Sequence, residues 1–499
     1  MKFSFEVKES DLLGRIGTIK IGGKVLETPY MFPVIHPVSQ IVPTKDLASM
    51  GFGGLMTNSY IIHSRRKEAA LEQGIHRLLD FDGVFMTDSG GYQVLEYGDL
   101  ELGYHDIASF QSAIHSDLAV TLDRPTGHPQ SRGTAIDSVE YSLKNSKATL
   151  KEFESSRTVW VGPIQGGLHL DLVRRSAVGL EESGFEFLAL GSPVQVMESY
   201  MFADLVRMIM AAKKSIRYSM PLHLFGAGHP LTMSLAVALG CDTFDSASYV
   251  IFARTGRYMS RSGIMNLQSM KYLPCSCPVC TRTSAKELLE LDHNERTKRL
   301  SVHNLYILKE ELEACKEAIS EGRLWDLVEE RSMVHPRLRE AFLEVTKFSE
   351  HLSVGTPALK ERGLFVRSAG DLRRPELLNA EARLSNAIHG STRPALVIPT
   401  RNEKQRGESR PSKGSDIFSL HPVFGPVPVE LEFQYPFSQT VVGAMVPLVT
   451  PAESERRLKQ IGYRKVVMER GSKPRKKSKS RRSRRGASPS LRSSSARPR

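Results

Sequence analysis

Eight short apolar segments recur through residues 30–248, and each ends in polar or glycine-rich residues before a stretch of helical character. The segments are YMFPVI (30–35), GGLMTNS (53–59), GVFMTDSGG (83–91), LAVTLDRPT (118–126), TVWVGPIQGG (158–167), FEFLALGSP (185–193), PLHLFGAGHP (221–230) and CDTFDSAS (241–248). Strands that alternate with helices pair in parallel, because each helix returns the chain to the same end of the sheet. Eight such units predict an α/β fold, the closed (β/α)8 TIM barrel.

The carboxyl-terminal ends of the strands meet at one face of such a barrel, and this face holds the active site. The residues that we expect there are Asn58, Asp88, Asp123, Gln165, Gly191, Ser192, His229 and Asp245. A single carboxylate at a strand end is equally consistent with a helix cap. Three carboxylates and an amide at one mouth are better explained by a site that performs chemistry.

A cysteine cluster follows the eighth segment, and residues 294–320 then predict a helix with apolar positions every three or four residues. The candidate metal ligands are Cys275, Cys277, Cys280 and His303. Three thiolates and a histidine near the start of a helix predict a closed, structural Zn²⁺ site in an inserted subdomain at residues 274–304. His293 is a rival fourth ligand, and three free thiols beside a surface histidine are the alternative without a metal.

The charge distribution sets the last thirty residues apart. The chain has 499 residues and a formal net charge of +13, and residues 470–499 hold thirteen Lys and Arg side chains and no acid. A segment this basic and this poor in apolar residues is predicted to stay disordered. Such a tail attracts phosphate groups, so nucleic acid is the expected partner, and a purely solubilising tail is the alternative.

The sequence also excludes several classes of protein. No run of eighteen apolar residues predicts a membrane-spanning helix, and the start MKFSFEVKESD lacks an apolar signal segment, so we expect a cytoplasmic protein. The chain has no nucleophile elbow, P-loop or dinucleotide-binding glycine motif.

Paired carboxylates suit chemistry at a glycosidic carbon, where one attacks and the other transfers protons. With a nucleic-acid substrate, they predict cleavage or exchange at a nucleoside N-glycosidic bond.

Four motifs occur in chain order: TDSGGYQ (87–93), PIQGG (163–167), FDSAS (244–248), and CSCPVC followed by His303. Together they resemble the tRNA-guanine transglycosylases over residues 5–345. HLFGAGHP, FDSASY, RYM and GRLWDLVEER resemble the archaeal branch in particular. The resemblance implies a zinc-bearing TIM barrel that exchanges a guanine in the D-arm of tRNA for 7-cyano-7-deazaguanine (preQ0), the first step of archaeosine formation.

The resemblance further implies roles for single residues. Asp245 resembles the nucleophile that attacks the ribose C1′, and Asp88 resembles the residue that transfers protons, although the two roles are open to exchange. The residues implied in substrate binding are Ser89, Tyr92, Asp123, Gln165, Gly191, Ser192 and Val194. Asp123 and Gln165 match the donor and acceptor pattern of a guanine-like edge, and Tyr92 offers a ring for stacking.

Beyond the barrel, the sequence predicts an organisation in three parts. Residues 1–345 form the catalytic domain, residues 346–469 an accessory α+β domain with a flexible loop near 402–415, and residues 470–499 the basic tail. We find no pattern of an RNA-binding PUA domain, so a separate PUA-bearing protein is a candidate partner, and the family resemblance favours a homodimer. The alternatives are an anticodon transglycosylase of the queuine or preQ1 type and a non-catalytic, tRNA-binding zinc subunit.

Overall fold

The computed structural model describes residues 2–91, 102–400 and 414–469. Tyr92, most of the predicted loop near 402–415 and the tail 470–499 lie outside the described residues. The stacking role of Tyr92, the flexible loop and the disordered tail therefore stay predictions.

A three-stranded antiparallel sheet precedes the barrel, and the hydrophobic pattern did not predict it. Its strands are β1 (Phe3–Asp11), β2 (Gly14–Ile21) and β3 (Lys24–Thr28). Gly22 and Gly23 join β2 to β3 with φ angles of 53° and 92°, in the left-handed region that a tight hairpin turn requires. This two-glycine turn between apolar stretches was the sequence signal for the sheet.

All eight predicted segments form strands of one parallel sheet. They are β4 (Tyr30–Pro33), β5 (Gly54–Asn58), β6 (Val84–Asp88), β7 (Leu118–Val120), β8 (Val159–Ile164), β9 (Leu188–Leu190), β10 (Leu222–Leu224) and β11 (Thr243–Ser246). Neighbours in the chain pair with one another from β5 to β11, and β11 pairs with β4. A parallel bridge between Val34 and Met56 closes the ring, so the predicted (β/α)8 barrel is confirmed.

Helices follow the barrel strands and cover the outside of the barrel. They span Thr44–Ser49, Ser59–Leu78, Tyr104–Ala113, Arg132–Glu152, Leu170–Glu182, Val194–Glu198, Phe202–Lys213, Pro230–Ala238 and Ser248–Arg254. Successive side chains of a strand point to opposite faces. Phe85 accordingly packs outward in the cluster that contains Ile75 of a covering helix, whereas Val84 and Met86 belong to the interior cluster.

The N-terminal sheet closes one end of the barrel. Phe3, Ile19, Ile21 and Leu26 belong to the same buried cluster as the interior side chains of the barrel strands. Leu26 lies against Gly54, the first residue of β5. The sheet therefore covers the amino-terminal end of the barrel, and the end where the strands finish is left for the site.

The metal-ligand region lies between the last barrel strand and a long helix. It contains β12 (Arg257–Ser260), β13 (Gly263–Asn266) and the helix Ala285–Glu290, and the long helix His293–Ser320 confirms the helix predicted at 294–320. The chain continues through helices Leu324–Ser332, Pro336–Val345, Ser349–Leu352 and Pro375–Ala387. A two-stranded parallel sheet of β14 (Leu364–Val366) and β18 (Thr440–Val442) accompanies them.

The described chain separates into two compact units. The first runs to Ala387 and takes in Gln434–Leu448, and the second contains Ile388–Phe433 and the chain from Val449 onward. The second unit has α+β character, with a four-stranded sheet and the helix Pro451–Ile461. Its strands are β15 (Ala395–Pro399), β16 (Asp416–His421), β17 (Gly425–Pro428) and β19 (Val466–Met468). The predicted boundary between a catalytic domain ending at residue 345 and an accessory domain beginning at residue 346 stays a prediction.

None of the helices in the described ranges is long and apolar enough to cross a membrane.

Candidate active site and metal centre

The alternation of the barrel strands delivers polar side chains to the open end. In β6, Val84 and Met86 point into the barrel, and Asp88 follows in the same phase at the end of the strand. In β8, Val159 and Val161 point inward, and Gln165 follows in the same phase just beyond the strand. The barrel interior is thus apolar in the middle and becomes polar where the strands end.

A cavity of about 1520 Å³ opens at this end of the barrel. The predicted residues that line it are Asn58, Asp88, Asp123, Gln165, Gly191, Ser192, Val194, His229 and Asp245. The structure therefore brings together residues that lie as far apart in the chain as Asn58 and Asp245. Their convergence follows from the barrel closure, because parallel strands end at the same face.

Asp88 is half-buried, and its carboxylate lies in an environment that favours the protonated form. Burial raises the pKa of Asp88 to about 7, and the nearby carboxylates of Asp123 and Asp245 add to the rise. Asn58 donates a hydrogen bond from Nδ2 to Asp88 Oδ2 at 3.1 Å. A carboxyl group with this pKa can both give and take a proton near neutral pH.

Asp123 and Gln165 form a hydrogen-bonded pair in the wall of the cavity. Gln165 Nε2 donates to Asp123 Oδ2 at 2.6 Å, and Gln165 Oε1 accepts from Ser192 Oγ at 2.9 Å. Burial raises the pKa of Asp123 to about 6. A Cβ atom at Gly191 would lie 2.2 Å from Gln165 Nε2, so the glycine makes room for the amide. The pair presents an acidic group and an amide side by side.

The other predicted substrate-binding residues are Ser89, Val194 and Tyr92, and they do not belong to the hydrogen-bonded pair of Asp123 and Gln165. Ser89 is fully buried behind the wall, and its Oγ donates to Asp123 Oδ1 at 3.4 Å. Val194 lines the cavity at the start of a short helix. Tyr92 lies outside the described residues. The substrate-binding roles of all three stay predictions.

Asp245 is buried, and its described hydrogen bonds fall on one carboxylate oxygen. The backbone N–H of Gly226 donates to Oδ1 at 2.7 Å, and His223 Nε2 lies 3.1 Å from the same atom. On the other side of the ring, His223 Nδ1 lies 2.9 Å from Thr243 Oγ1. The carboxylate is therefore held in one orientation at the edge of the cavity.

His229 lines the cavity, but its ring serves the local backbone. Its Nδ1 accepts the backbone N–H of Leu231 at 3.2 Å, at the start of the helix Pro230–Ala238. Burial lowers the pKa of His229 to about 4, so the ring is neutral at physiological pH. The observed contact is that of a helix cap.

The four predicted metal ligands form one cluster. The ligand atoms of Cys275, Cys277, Cys280 and His303 all lie within 4.8 Å of one another. His303 Nδ1 lies 3.5 Å from Cys277 Sγ and 3.3 Å from Cys280 Sγ. The other ring nitrogen, Nε2, lies 2.9 Å from the carbonyl oxygen of Met259, an arrangement that leaves Nδ1 for a metal.

This donor set can hold a metal ion such as Zn²⁺, since three sulfurs and one imidazole nitrogen are the ligands of closed tetrahedral sites. His293, the rival ligand, is exposed on the first residue of the long helix and is not part of the cluster. Tyr258 stacks on the ring of His303 with 3.7 Å between ring centroids. The histidine is thus fixed by a hydrogen bond on one edge and a ring on one face.

Comparison with known proteins decides what this combination of barrel, carboxylates and metal ligands is. Residues 10–337 match the family described as queuine tRNA-ribosyltransferase. The chain belongs to the tRNA-guanine transglycosylase family. Members of this family are transferases that act on tRNA by base exchange, and the resemblance seen in the motifs is confirmed.

Curated transglycosylases from archaea match nearly the whole chain. The tRNA-guanine(15) transglycosylase of Sulfolobus acidocaldarius is 36% identical over 461 residues, which are 91% of this chain and 92% of the relative. The protein of the same name from Aeropyrum pernix is 40% identical over 87% of both chains. That from Thermococcus kodakarensis is 40% identical over 88% of this chain and 71% of its own length. The resemblance to the archaeal branch is therefore confirmed as well.

One residue of the transglycosylase site was not predicted from the sequence. His223 is the central residue of the strand Leu222–Leu224, and its side chain is fully buried beside Asp245. A histidine between two leucines of an interior strand was the available signal. The sequence did not show that its neighbour in the next strand is Thr243, because that register belongs to the sheet.

Proposed function

We propose that this chain exchanges guanine at position 15, in the D-arm of tRNA, for preQ0 through a covalent link between Asp245 and the ribose C1′. The names of the curated relatives support the position. The observation that carries the mechanism is that Asp88, Asp123 and Asp245 line one cavity in three different environments. Carboxylates that differ in their surroundings can serve as nucleophile, proton carrier and binding group.

Asp245 attacks C1′, which breaks the bond to the guanine nitrogen and forms an ester-like glycosyl-enzyme link. Its Oδ1 is held by Gly226 and His223, so Oδ2 is the attacking oxygen. Asp88 gives its proton to the departing guanine. In the second half, Asp88 takes a proton from the incoming base, whose nitrogen attacks C1′ and releases Asp245. Two inversions restore the original configuration, and no external energy source is needed.

Asp123 and Gln165 bind the hydrogen-bonding edge of either base. Their contact of 2.6 Å shows that the two side chains lie side by side, as recognition of adjacent donor and acceptor groups on a purine edge requires. Ser192 orients the amide. In this proposal the backbone of Gly191 and Val194 adds contacts, Ser89 supports Asp123, and Tyr92 stacks on the base.

A structural Zn²⁺ ion would be held by the cluster of Cys275, Cys277, Cys280 and His303, because four protein ligands leave no open position for substrate.

The accessory domain 346–469 and the basic tail 470–499 would contact tRNA outside the cavity. The active form would be a homodimer, and a separate PUA-bearing protein would add further contacts to the tRNA. Deletion of residues 471–499 should weaken tRNA binding and flatten its dependence on salt, since about a dozen cations are removed. Equal affinities in low salt, with and without the tail, would exclude this role.

One experiment tests the function directly. Purified protein is incubated with tRNA and either labelled guanine or labelled preQ0, and the labelled nucleotide is mapped by nuclease digestion. We expect both bases to enter position 15. Entry at the anticodon would support the queuine-type alternative, and absence of any incorporation would support the non-catalytic one.

A further inference from the structure

The cavity extends from the carboxylates to a pair of stacked rings. The ring centroids of Tyr200 and His335 lie 5.2 Å apart with an angle of 29° between the planes, and both side chains line the same cavity as Asp88 and Asp245. Its volume of about 1520 Å³ exceeds the roughly 300–1,000 Å³ of a pocket for a drug-sized ligand. A single base leaves most of this space, and the stacked pair, unoccupied.

The backbone at Tyr200 is unusual for a large side chain. Tyr200 follows the helix Val194–Glu198 with a φ of 57°, its N–H donates to the Met197 carbonyl, and the N–H of Met201 donates to the Val196 carbonyl. These two bonds define the helix C-terminal motif in which glycine is the preferred residue at this position. Tyrosine there strains the backbone.

Packing of the Tyr200 ring does not account for the strain, because the residue is 55% exposed. The ring contacts Phe202 edge-on, with 5.7 Å between centroids, and lies against His335. His335 is itself fixed, since its Nδ1 accepts the backbone N–H of Arg337 at 3.1 Å at the start of the helix Pro336–Val345. Two separate chain segments therefore hold an aromatic pair at the cavity wall.

We propose that the Tyr200–His335 pair is a subsite for an unpaired base of the tRNA, adjacent in the strand to the nucleotide that is exchanged. The inference rests on the proposed function. An enzyme that acts on C1′ of a nucleotide inside folded RNA draws that nucleotide out of its stack. Its neighbour then loses a stacking partner, and aromatic side chains are the groups that proteins use to replace one.

Replacement of Tyr200 by glycine separates this role from folding. Glycine suits the backbone conformation, so Tyr200→Gly should melt at or above the temperature of the unaltered protein. It should weaken tRNA binding by roughly ten-fold, the effect of losing one stacked base. Tyr200→Phe keeps the ring and should bind tRNA normally. The affinity for free preQ0, measured by calorimetry, should be unchanged in both variants.

A matched control exists on another barrel helix. His115 follows the helix Tyr104–Ala113 with a φ of 61° and the same two bonds, from its own N–H to Ser112 and from the N–H of Ser116 to Gln111. It is exposed and does not line the cavity. His115→Gly should therefore leave tRNA binding unchanged.

Fluorescence reports the contact itself. tRNA carrying 2-aminopurine on either side of the exchanged nucleotide should be quenched by stacking in the unaltered protein and in Tyr200→Phe, but not in Tyr200→Gly. Equal tRNA affinity and equal fluorescence for Tyr200→Gly and the unaltered protein would overturn the subsite. Base exchange by the unaltered protein would still stand in that case, so failure of the subsite is distinguishable from failure of the proposed function.

Discussion

His223 Nε2 lies 3.1 Å from Asp245 Oδ1, although the two residues belong to different strands of the barrel. The ring is fully buried, and its other nitrogen lies 2.9 Å from the hydroxyl oxygen of Thr243. With its proton on Nε2, the ring donates to the carboxylate while Nδ1 accepts from the Thr243 hydroxyl. His223 thereby fixes the orientation of the Asp245 carboxylate, which in the proposed mechanism is the group that attacks C1′.

Loss of this donor should slow the chemical step without affecting binding. His223→Phe keeps a ring in a pocket formed in part by Phe32 and Phe225 but removes the hydrogen bond to Asp245. We expect kcat for guanine exchange to fall by roughly 10- to 100-fold, because a hydrogen bond to a charged group contributes about 1.5–3 kcal/mol, with little change in KM for tRNA. His223→Gln retains an N–H donor and should recover part of the rate. A His223→Phe protein with unaltered kcat would show that Gly226 alone orients the carboxylate.

The two carboxylates should differ in whether they allow a covalent intermediate. Asp245→Asn cannot form the ester-like link, so it should bind tRNA yet give no adduct on denaturing gels and no exchange. In the proposed mechanism, Asp88→Asn should lose proton transfer and most of the rate. Attack by Asp245 is a separate step of that mechanism, so an adduct should still be trapped. An adduct with Asp245→Asn and none with Asp88→Asn would exchange the two roles.

The raised pKa of Asp88 should make the protein less stable as the pH rises. The pKa of this carboxyl is about 7 in the folded protein against an ordinary value of 3.8, so the folded state binds the proton more tightly. The stabilisation from this proton is complete below about pH 3.8 and is lost as the pH rises through 7. Asp88→Asn removes this poorly solvated charge, so it should raise Tm by about 2 °C at pH 8 and by less at pH 5.

The control for this effect is Asp82→Asn, a change at an exposed carboxyl just before the same strand. It should shift Tm by similar small amounts at both pH values. Melting curves by differential scanning calorimetry of the three proteins, at matched ionic strength, give the comparison. A gain for Asp88→Asn that is as large at pH 5 as at pH 8 would contradict the assigned titration.

Removal of one thiolate should release the metal and destabilise the surrounding subdomain. Cys277→Ala deletes one of the four candidate ligands, and the binding free energy of a structural metal is also folding free energy. We expect loss of bound zinc by elemental analysis and a lower Tm, with activity lost as a consequence of structure. Ser276→Ala changes an exposed neighbour and should retain the metal. Full zinc occupancy in Cys277→Ala would remove this residue from the ligand set.

Much of the architecture could be predicted because its signals are local. Each barrel strand is a short apolar run, and the parallel pairing follows from the alternation of strands with helices. The cysteine spacing places three candidate metal ligands in one loop. The apolar stripe of the next helix places His303 on its buried face. The N-terminal sheet lies outside this alternation of strands with helices, because its three strands follow one another through short turns and pair antiparallel.

What remained undetermined depends on distances through space. The sequence indicated that Asp88, Asp123 and Asp245 reach one face, but only the folded barrel places them close enough, and buried enough, to raise the pKa of Asp88. The contact of His223 with Asp245 requires the register of two strands. The stacking of Tyr200 on His335 joins residues that lie just outside two different helices. The hydrophobic periodicity of the sequence determines which face of a strand or helix a side chain occupies. The pairing between strands and the packing between helices determine which other side chains it contacts.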